Sequence, residues 1–276
     1  MLKANREKRR DTETGIRNAL IFLAFFSFLI LPGKPICAQE TYSITRADSL
    51  ALENVIVETY YVANTKDFTD TSSFVLPEGA VTYRIYIDMK PGYSLQVVYG
   101  DKNHELYIKT STTFYNDKEC FAETGFNIDA KKLHLGTVAL DSWITMGAAT
   151  RIHTGILRTE DNVGFSLITN RESLSKIDGL TKAALPAFRI FNLDLNFFRT
   201  NSTANTFSTN NGGWAATGGV KGPTPENKVL IAQLTTTGKL TFGLNVQIGT
   251  PTGGYIQFVS HNPEGAEIQF QGLSLN

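Results

Sequence analysis

The sequence predicts an all-β protein: an antiparallel β-sandwich, with a jelly roll as one arrangement of it and few or no helices in the mature chain. Three observations predict this. Apolar and polar residues alternate over many short runs, the period of two that sends successive side chains to opposite faces of a strand. Clusters of Gly, Pro, Asn and Thr separate the runs, as turns between strands require. Helical spacing is scarce.

The elements follow in order. Near Arg46–Val55, Asp48 reads as a cap and predicts no more than a short turn before a first strand at Asn54–Ala63. In the next run Val81, Tyr83, Ile85, Ile87 and Met89 alternate with Thr82, Arg84, Tyr86 and Asp88. The alternation resumes after Pro91-Gly92. Further strands are expected at His104–Thr110, Val138–Gly147, Phe188–Phe198, Gly254–Ser260 and Glu267–Leu273. Arg171–Leu185 has room for a helix of two turns or less, ending near Gly179. Leu240, Phe242, Leu244, Val246 and Ile248 share one face, opposite Thr241, Gly243, Asn245 and Gln247. That reads as a half-buried strand with one wet face. The stretch from Val229 is its expected hairpin partner, turning near Thr237-Gly238. Residues 200–227 are long for a structureless loop, so they are either functional or hide strands.

The N-terminus predicts the compartment. A basic segment with Lys3, Arg6, Lys8, Arg9, Arg10 and Arg17 precedes a thirteen-residue apolar stretch, Ala19–Leu31. At 1.5 Å per residue that stretch falls short of the roughly 30 Å of membrane hydrocarbon. With Cys37 and Ala38 following, residues 1–38 read as a secretory signal peptide. Residues 39–276 are then the β-sandwich region, either one large domain or two packed subdomains meeting within 160–200. An uncleaved anchor is the alternative.

Cleavage would remove seven of the 26 Lys and Arg and three of the 26 Asp and Glu, leaving a formal charge of −4. A mildly acidic chain without a basic stripe is a poor match for nucleic acid. No transmembrane segment is expected after cleavage. Only Cys120 would remain, so no internal disulfide is available. With no His near it, Cys120 reads as a packed thiol.

Three stretches, Thr82–Asn116, Leu140–Thr150 and Ser208–Ile248, resemble a group of β-rich secreted proteins of Bacteroidota-type bacteria. They carry TYRIYIDMKPGYSLQVVYG, LDSWITMGAA and NNGGWAATGGVKGPT. The resemblance implies location and architecture, and no activity. Such proteins often carry sorting or anchoring modules. The expected location is release, the periplasm or the cell surface.

Candidate chemistry is sparse. The glycine-rich stretch Asn210–Gly222 lacks the Gly-Lys-Ser/Thr and the following helix that a phosphate loop needs. Trp214, with Asn210 and Asn211 beside it, suits either a platform for a sugar ring or a hydrophobic plug. If Val138–Gly147 were a strand, Asp141 and Trp143 would share its polar face, and Trp143 would be covered by a loop or offered to a partner. Ser142 would then lie on the core side, unsuited to be a nucleophile. Asn192, Asp194 and Asn196 would likewise form an outward row, able to grip sugar hydroxyls or help hold Ca²⁺. Asp67 and Asp70 are a second calcium hint. No other cofactor or metal is expected. His104, His134, His153 and His261 show no metal-ligand spacing, although histidines on strands can converge.

No Gly-x-Ser-x-Gly, His-Glu-x-x-His or paired-cysteine motif is present. The sequence alone therefore points to a secreted, non-catalytic β-sandwich binding an extracellular ligand, with polysaccharide the first candidate. The alternatives are a structural or adhesive envelope protein, and a secreted hydrolase using carboxylates or a histidine–metal site.

Overall fold

A computed structural model describes residues 44–64, 76–118, 120, 122–164, 166, 168, 178–199 and 203–276. The proposed signal peptide, Asp67, Asp70 and Arg171–Ile177 of the expected helix lie outside these residues. What is described is all-β, with only 3-10 turns and no longer helix. No helix among the described residues is long and apolar enough to cross a membrane.

The strands are β1 (Leu52–Val62), β2 (Val81–Met89), β3 (Ser94–Tyr99), β4 (Leu106–Thr110), β5 (Trp143–Ile144), β6 (Thr154–Gly155), β7 (Leu180–Thr181) and β8 (Ala187–Phe191). They continue with β9 (Thr206–Thr209), β10 (Gly213–Val220), β11 (Lys228–Thr236), β12 (Leu240–Gly243), β13 (Asn245–Gly249), β14 (Tyr255–Val259), β15 (Ile268–Gln269) and β16 (Ser274–Leu275). They form four sheets: β1-β2-β11-β5, β15-β14-β13-β3-β10-β8, β16-β12-β4-β9, and the pair β6-β7. All pairings are antiparallel except β14 with β15.

The three larger sheets contribute to one core. Ile85, Ile87, Val229 and Ile231 from the first sheet join Leu95, Val98, Trp214, Val246, Ile248 and Phe258 from the second. Ile108, Phe207 and Phe242 come from the third. The arrangement is sandwich-like.

Several consecutive strands change sheets, although β1 with β2, β6 with β7 and β13 with β14 do pair antiparallel. β2 leads through Pro91-Gly92 into β3 of another sheet, with Gly92 at φ 95°, where a side chain would be strained. The expected hairpin from Val229 is corrected in the same way, because β11 pairs with β2 and β5 while β12 pairs with β4 and β16. The expected single strand Leu240–Ile248 breaks at Leu244, whose N–H donates to the Leu273 carbonyl. Its five apolar residues are all buried as the alternation predicted. Asn245, read as a wet-face residue, is also fully buried.

The first sheet has no wet face over much of β2 and β11. A second apolar cluster covers it with Tyr60, Tyr86, Leu140, Trp143, Leu180 and Leu230. The polar residues beneath are satisfied by each other and by backbone, as burial demands. Thr82 and Thr235 hydroxyls hydrogen-bond at 2.7 Å, and Arg84 Nε donates to Gln233 Oε1 at 2.9 Å. Gln233 Nε2 donates to the Ala139 and Asp141 carbonyls. The Arg84 guanidinium also lies 3.6 Å from the centre of the Tyr60 ring, a cation–π contact.

Three expected strands are shorter than alternation implies. Val138–Leu140 is a 3-10 turn before the two-residue β5. Phe188–Phe198 splits into β8 and a 3-10 turn at Leu195–Phe198, with Asn192 between them at φ 49°. Glu267–Leu273 holds the two-residue β15 and a 3-10 turn at Gln271–Leu273. Residues 200–227, by contrast, do contain β9 and β10. The glycine-rich stretch is largely strand, and at Gly213 an added Cβ would run into the Val98 carbonyl of the neighbouring β3. Gly218 and Gly219 take positive φ where the β10–β3 register shifts, the signature of a bulge.

A candidate metal centre beside a polar groove

The loop from β3 to β4 is folded around one carboxylate. Asp101 Oδ1 accepts from the backbone N–H of Asn103 at 2.8 Å and of His104 at 2.9 Å, the Asx geometry typical of Asp in tight loops. This turns the His104 ring inward, where it is 1 % exposed. Its Nδ1 lies 3.2 Å from Asp101 Oδ1, and its Nε2 lies 2.9 Å from the Asn262 carbonyl and 3.4 Å from Glu267 Oε2.

The opposing wall is the segment between β14 and β15. Asn262 adopts φ 47°, a left-handed conformation that Asn tolerates better than most residues. Glu267 Oε2 also accepts from the Glu264 N–H at 2.7 Å. Asn245 joins the two walls. Its amide donates to the Tyr99 and His104 carbonyls, while its Oδ1 accepts from the Ser260 N–H.

Asp101, His104 and Glu267 offer three ligand atoms that lie within 4.8 Å of one another. One imidazole with two carboxylates is a donor set suited to a divalent ion. The ring nitrogens face acceptors on both sides, an arrangement that favours the protonated, charged ring. Burial opposes that charge, but the Asn262 carbonyl, Glu267 and Asp101 outweigh it and raise the His104 pKa. Tyr99 is also buried. Burial and then the charges of Glu267 and Asp101 push its pKa up.

A groove of about 460 Å³ opens beside the cluster, lined by Asp101, Lys102, Asn103, Asn210 and His261 among others. The His261 ring meets the His104 ring edge-on, with centroids 6.1 Å apart.

The residues expected from sequence divide into two sets. Asn210 lines this groove. Asn211 is exposed at the turn before β10, and its carbonyl accepts from Asn192 Nδ2 at 3.0 Å. Asn192, Asp194 and Asn196 line a second groove of about 360 Å³. They reach it from a turn, where Asp194 Oδ1 caps the Asn196 N–H, and not as the expected row on a strand.

Trp143, Trp214 and Asp141 are core residues, 2 %, 0 % and 1 % exposed. Trp214 Nε1 donates to the Thr145 carbonyl at 2.9 Å, so the ring is a plug. Trp143 faces the second apolar cluster that covers its sheet. Asp141 Oδ1 accepts from the Asp117 N–H, and among the described residues its Oδ2 has no partner that meets hydrogen-bond geometry. Burial raises its pKa well above the usual carboxylate range. Ser142 is buried too and donates to the Tyr115 carbonyl.

The expectation that favours a non-enzyme is corrected by the Asp101–His104–Glu267 cluster, which accords instead with the alternative of a histidine–metal site. Sequence reasoning noted His104 but passed over Asp101 and Glu267. The available local signal was Asp-x-x-His between two strands; Glu267 had none.

These features define a class: a β-sandwich-like protein with a candidate divalent-metal centre at a polar groove. No protein-family model, curated protein or solved structure matches the chain.

Proposed function

We propose that the chain is a secreted hydrolase using a divalent metal ion held by Asp101, His104 and Glu267, with a polysaccharide as its substrate. The observation that carries this is the convergence of the three ligand atoms within 4.8 Å at the edge of an open polar groove. A metal in such a site would polarise a substrate oxygen or lower the pKa of a bound water. The protein's own part is to fix the ligands through Asn245 and Asn262, and to present Asn103, Asn210 and His261 to the substrate. Secretion rests on the N-terminal segment and on the resemblance to Bacteroidota-type secreted proteins.

A proton on the His104 ring competes with a metal ion, so uptake should tighten as pH rises. Calorimetry with Zn²⁺, Mn²⁺ and Ca²⁺ at pH 6 and pH 8 tests this, beside His104→Gln and Glu267→Gln. One ion per chain, bound more tightly at pH 8 and lost in both variants, is expected. Chelator-sensitive release of reducing sugar from a glycan panel is the matching activity. Absence of metal binding, or hydrolysis indifferent to chelator, would overturn the reading.

A second reading, an adhesive or structural envelope protein, draws on β8. Among the described residues this strand pairs only with β10, and Ile190 and Phe191 are exposed on it. An open apolar edge favours assembly. Concentration-dependent self-association, abolished by Phe191→Lys, would support that reading.

A further inference from the structure

We propose that the groove beside the metal centre continues along β9 into the second groove, and that together they bind an extended, uncharged polysaccharide chain and not a single sugar unit. This rests on the proposed function, of which it specifies the substrate.

The two grooves meet at Ser208, which lines both. Thr206 belongs to the second and Thr209 and Asn210 to the first, so the lobes follow each other along one strand. At about 3.3 Å per residue, Thr206 to Asn210 spans roughly 13 Å, more than one sugar ring needs. Thr206 and Ser208 point outward while Phe207 between them is buried in the core. The strand thus offers a hydroxyl at each outward step on a rigid support.

The lining matches a hydroxyl-rich polymer. Asn103 and Asn210 in one lobe, and Asn192 and Asn196 in the other, each supply both a donor and an acceptor. Ser208 sits opposite Tyr107 on β4. The Tyr107 ring lies over Gly243 of β12, where an added Cβ would strike it, and Lys109 Nζ is 4.4 Å from the ring centre. A half-exposed aromatic on the strand paired with β9, leaning toward β12, would suit the apolar face of a pyranose that reaches across β4. Charge selects against anionic polymers. Asp101, Glu105 and Asp194 outnumber Lys102, the one Lys or Arg among the described lining residues.

The test uses metal-free protein, so that binding is read apart from chemistry. Neutral gluco-, xylo- and manno-oligosaccharides, from disaccharide to hexasaccharide, are titrated by calorimetry into the wild type, Asn196→Ala and Ser208→Tyr. Thermal melts check folding, and metal uptake is measured separately on each protein. For one of the three series, the hexasaccharide should bind at least about tenfold more tightly than the disaccharide, a 1.4 kcal/mol difference. Asn196→Ala should erase most of that advantage while leaving metal uptake unchanged. Ser208→Tyr, at the junction, should do the same; if it does not fold, Asn196→Ala still decides.

Equal affinity for short and long glycans, no glycan binding at all, a hexasaccharide advantage untouched by Asn196→Ala, or preference for an anionic polymer or a peptide would overturn the proposal. The two readings fail separately. Metal uptake without length-dependent glycan binding sinks the extended groove alone. Length-dependent binding without metal uptake upholds the groove and sinks the metal hydrolase.

Discussion

Asn245 donates its side-chain amide to the His104 carbonyl at 3.2 Å from a position with no exposed surface. The same amide donates to the Tyr99 carbonyl, and the Asn245 oxygen accepts from Ser260. One buried side chain therefore fixes the β3–β4 loop against the end of β14. Asn245→Ala would leave these backbone groups unpaired in the core. A loss of about 2–3 kcal/mol is expected in denaturant unfolding, since an unsatisfied buried polar group costs about 1–3 kcal/mol. Metal affinity should fall with it, because both walls of the cluster lose their anchor.

His104 makes stability pH-dependent. Its folded pKa is raised above the unfolded value of about 6.5. Its contribution is then fully present below that value and lost as pH rises through the folded one. Thermal midpoints of metal-free protein should decline across this window, and His104→Gln should flatten the decline. Bound metal should reverse the trend, because it favours the deprotonated ring.

Asp141 acts with the opposite chemistry and the same sign. A carboxyl whose folded pKa is raised binds its proton better in the native state, so stability falls as pH rises from about 3.8. Asp141→Asn keeps an oxygen for the Asp117 N–H and cannot ionise. It should match or exceed the wild type at pH 8 in urea unfolding and lose that advantage at pH 4.

The two tryptophans should emit at blue wavelengths and resist aqueous quenchers, since both rings are buried. Adding glycans should leave the emission unchanged even when calorimetry shows binding. Trp214→Phe removes the donor to Thr145 and should cost about 1–3 kcal/mol in unfolding free energy.

Gly213→Ala should be poorly tolerated despite lying in a strand. Its Cβ would meet the Val98 carbonyl, a backbone atom that cannot step aside within the β10–β3 pairing. Overpacking of this kind costs about 1–3 kcal/mol, measurable as a lower urea midpoint. Gly253→Ala gives a contrast, since nothing lies within 4 Å of its added Cβ and only the positive φ opposes it.

The sequence by itself determined the strand character of this protein and many of its strand positions. Alternation is a local property, so Val81–Met89 and the apolar face Leu240–Ile248 could be read from neighbours two residues apart. Asn210, Asn192, Asp194 and Asn196 were legible as surface polar groups for the same reason, even though a turn and not a strand presents the last three. Tertiary structure alone decided which faces stay wet. Thr82, Arg84, Gln233 and Thr235 carry the pattern of a solvated face, yet a second layer of chain buries them and each finds a polar partner there. It also decided the candidate centre. Asp101 and His104 lie three residues apart in one loop, but Glu267 reaches them from a distant segment. That meeting depends on the pairing of β13 with β3 and β14 and on the buried Asn245, long-range contacts that no local spacing encodes.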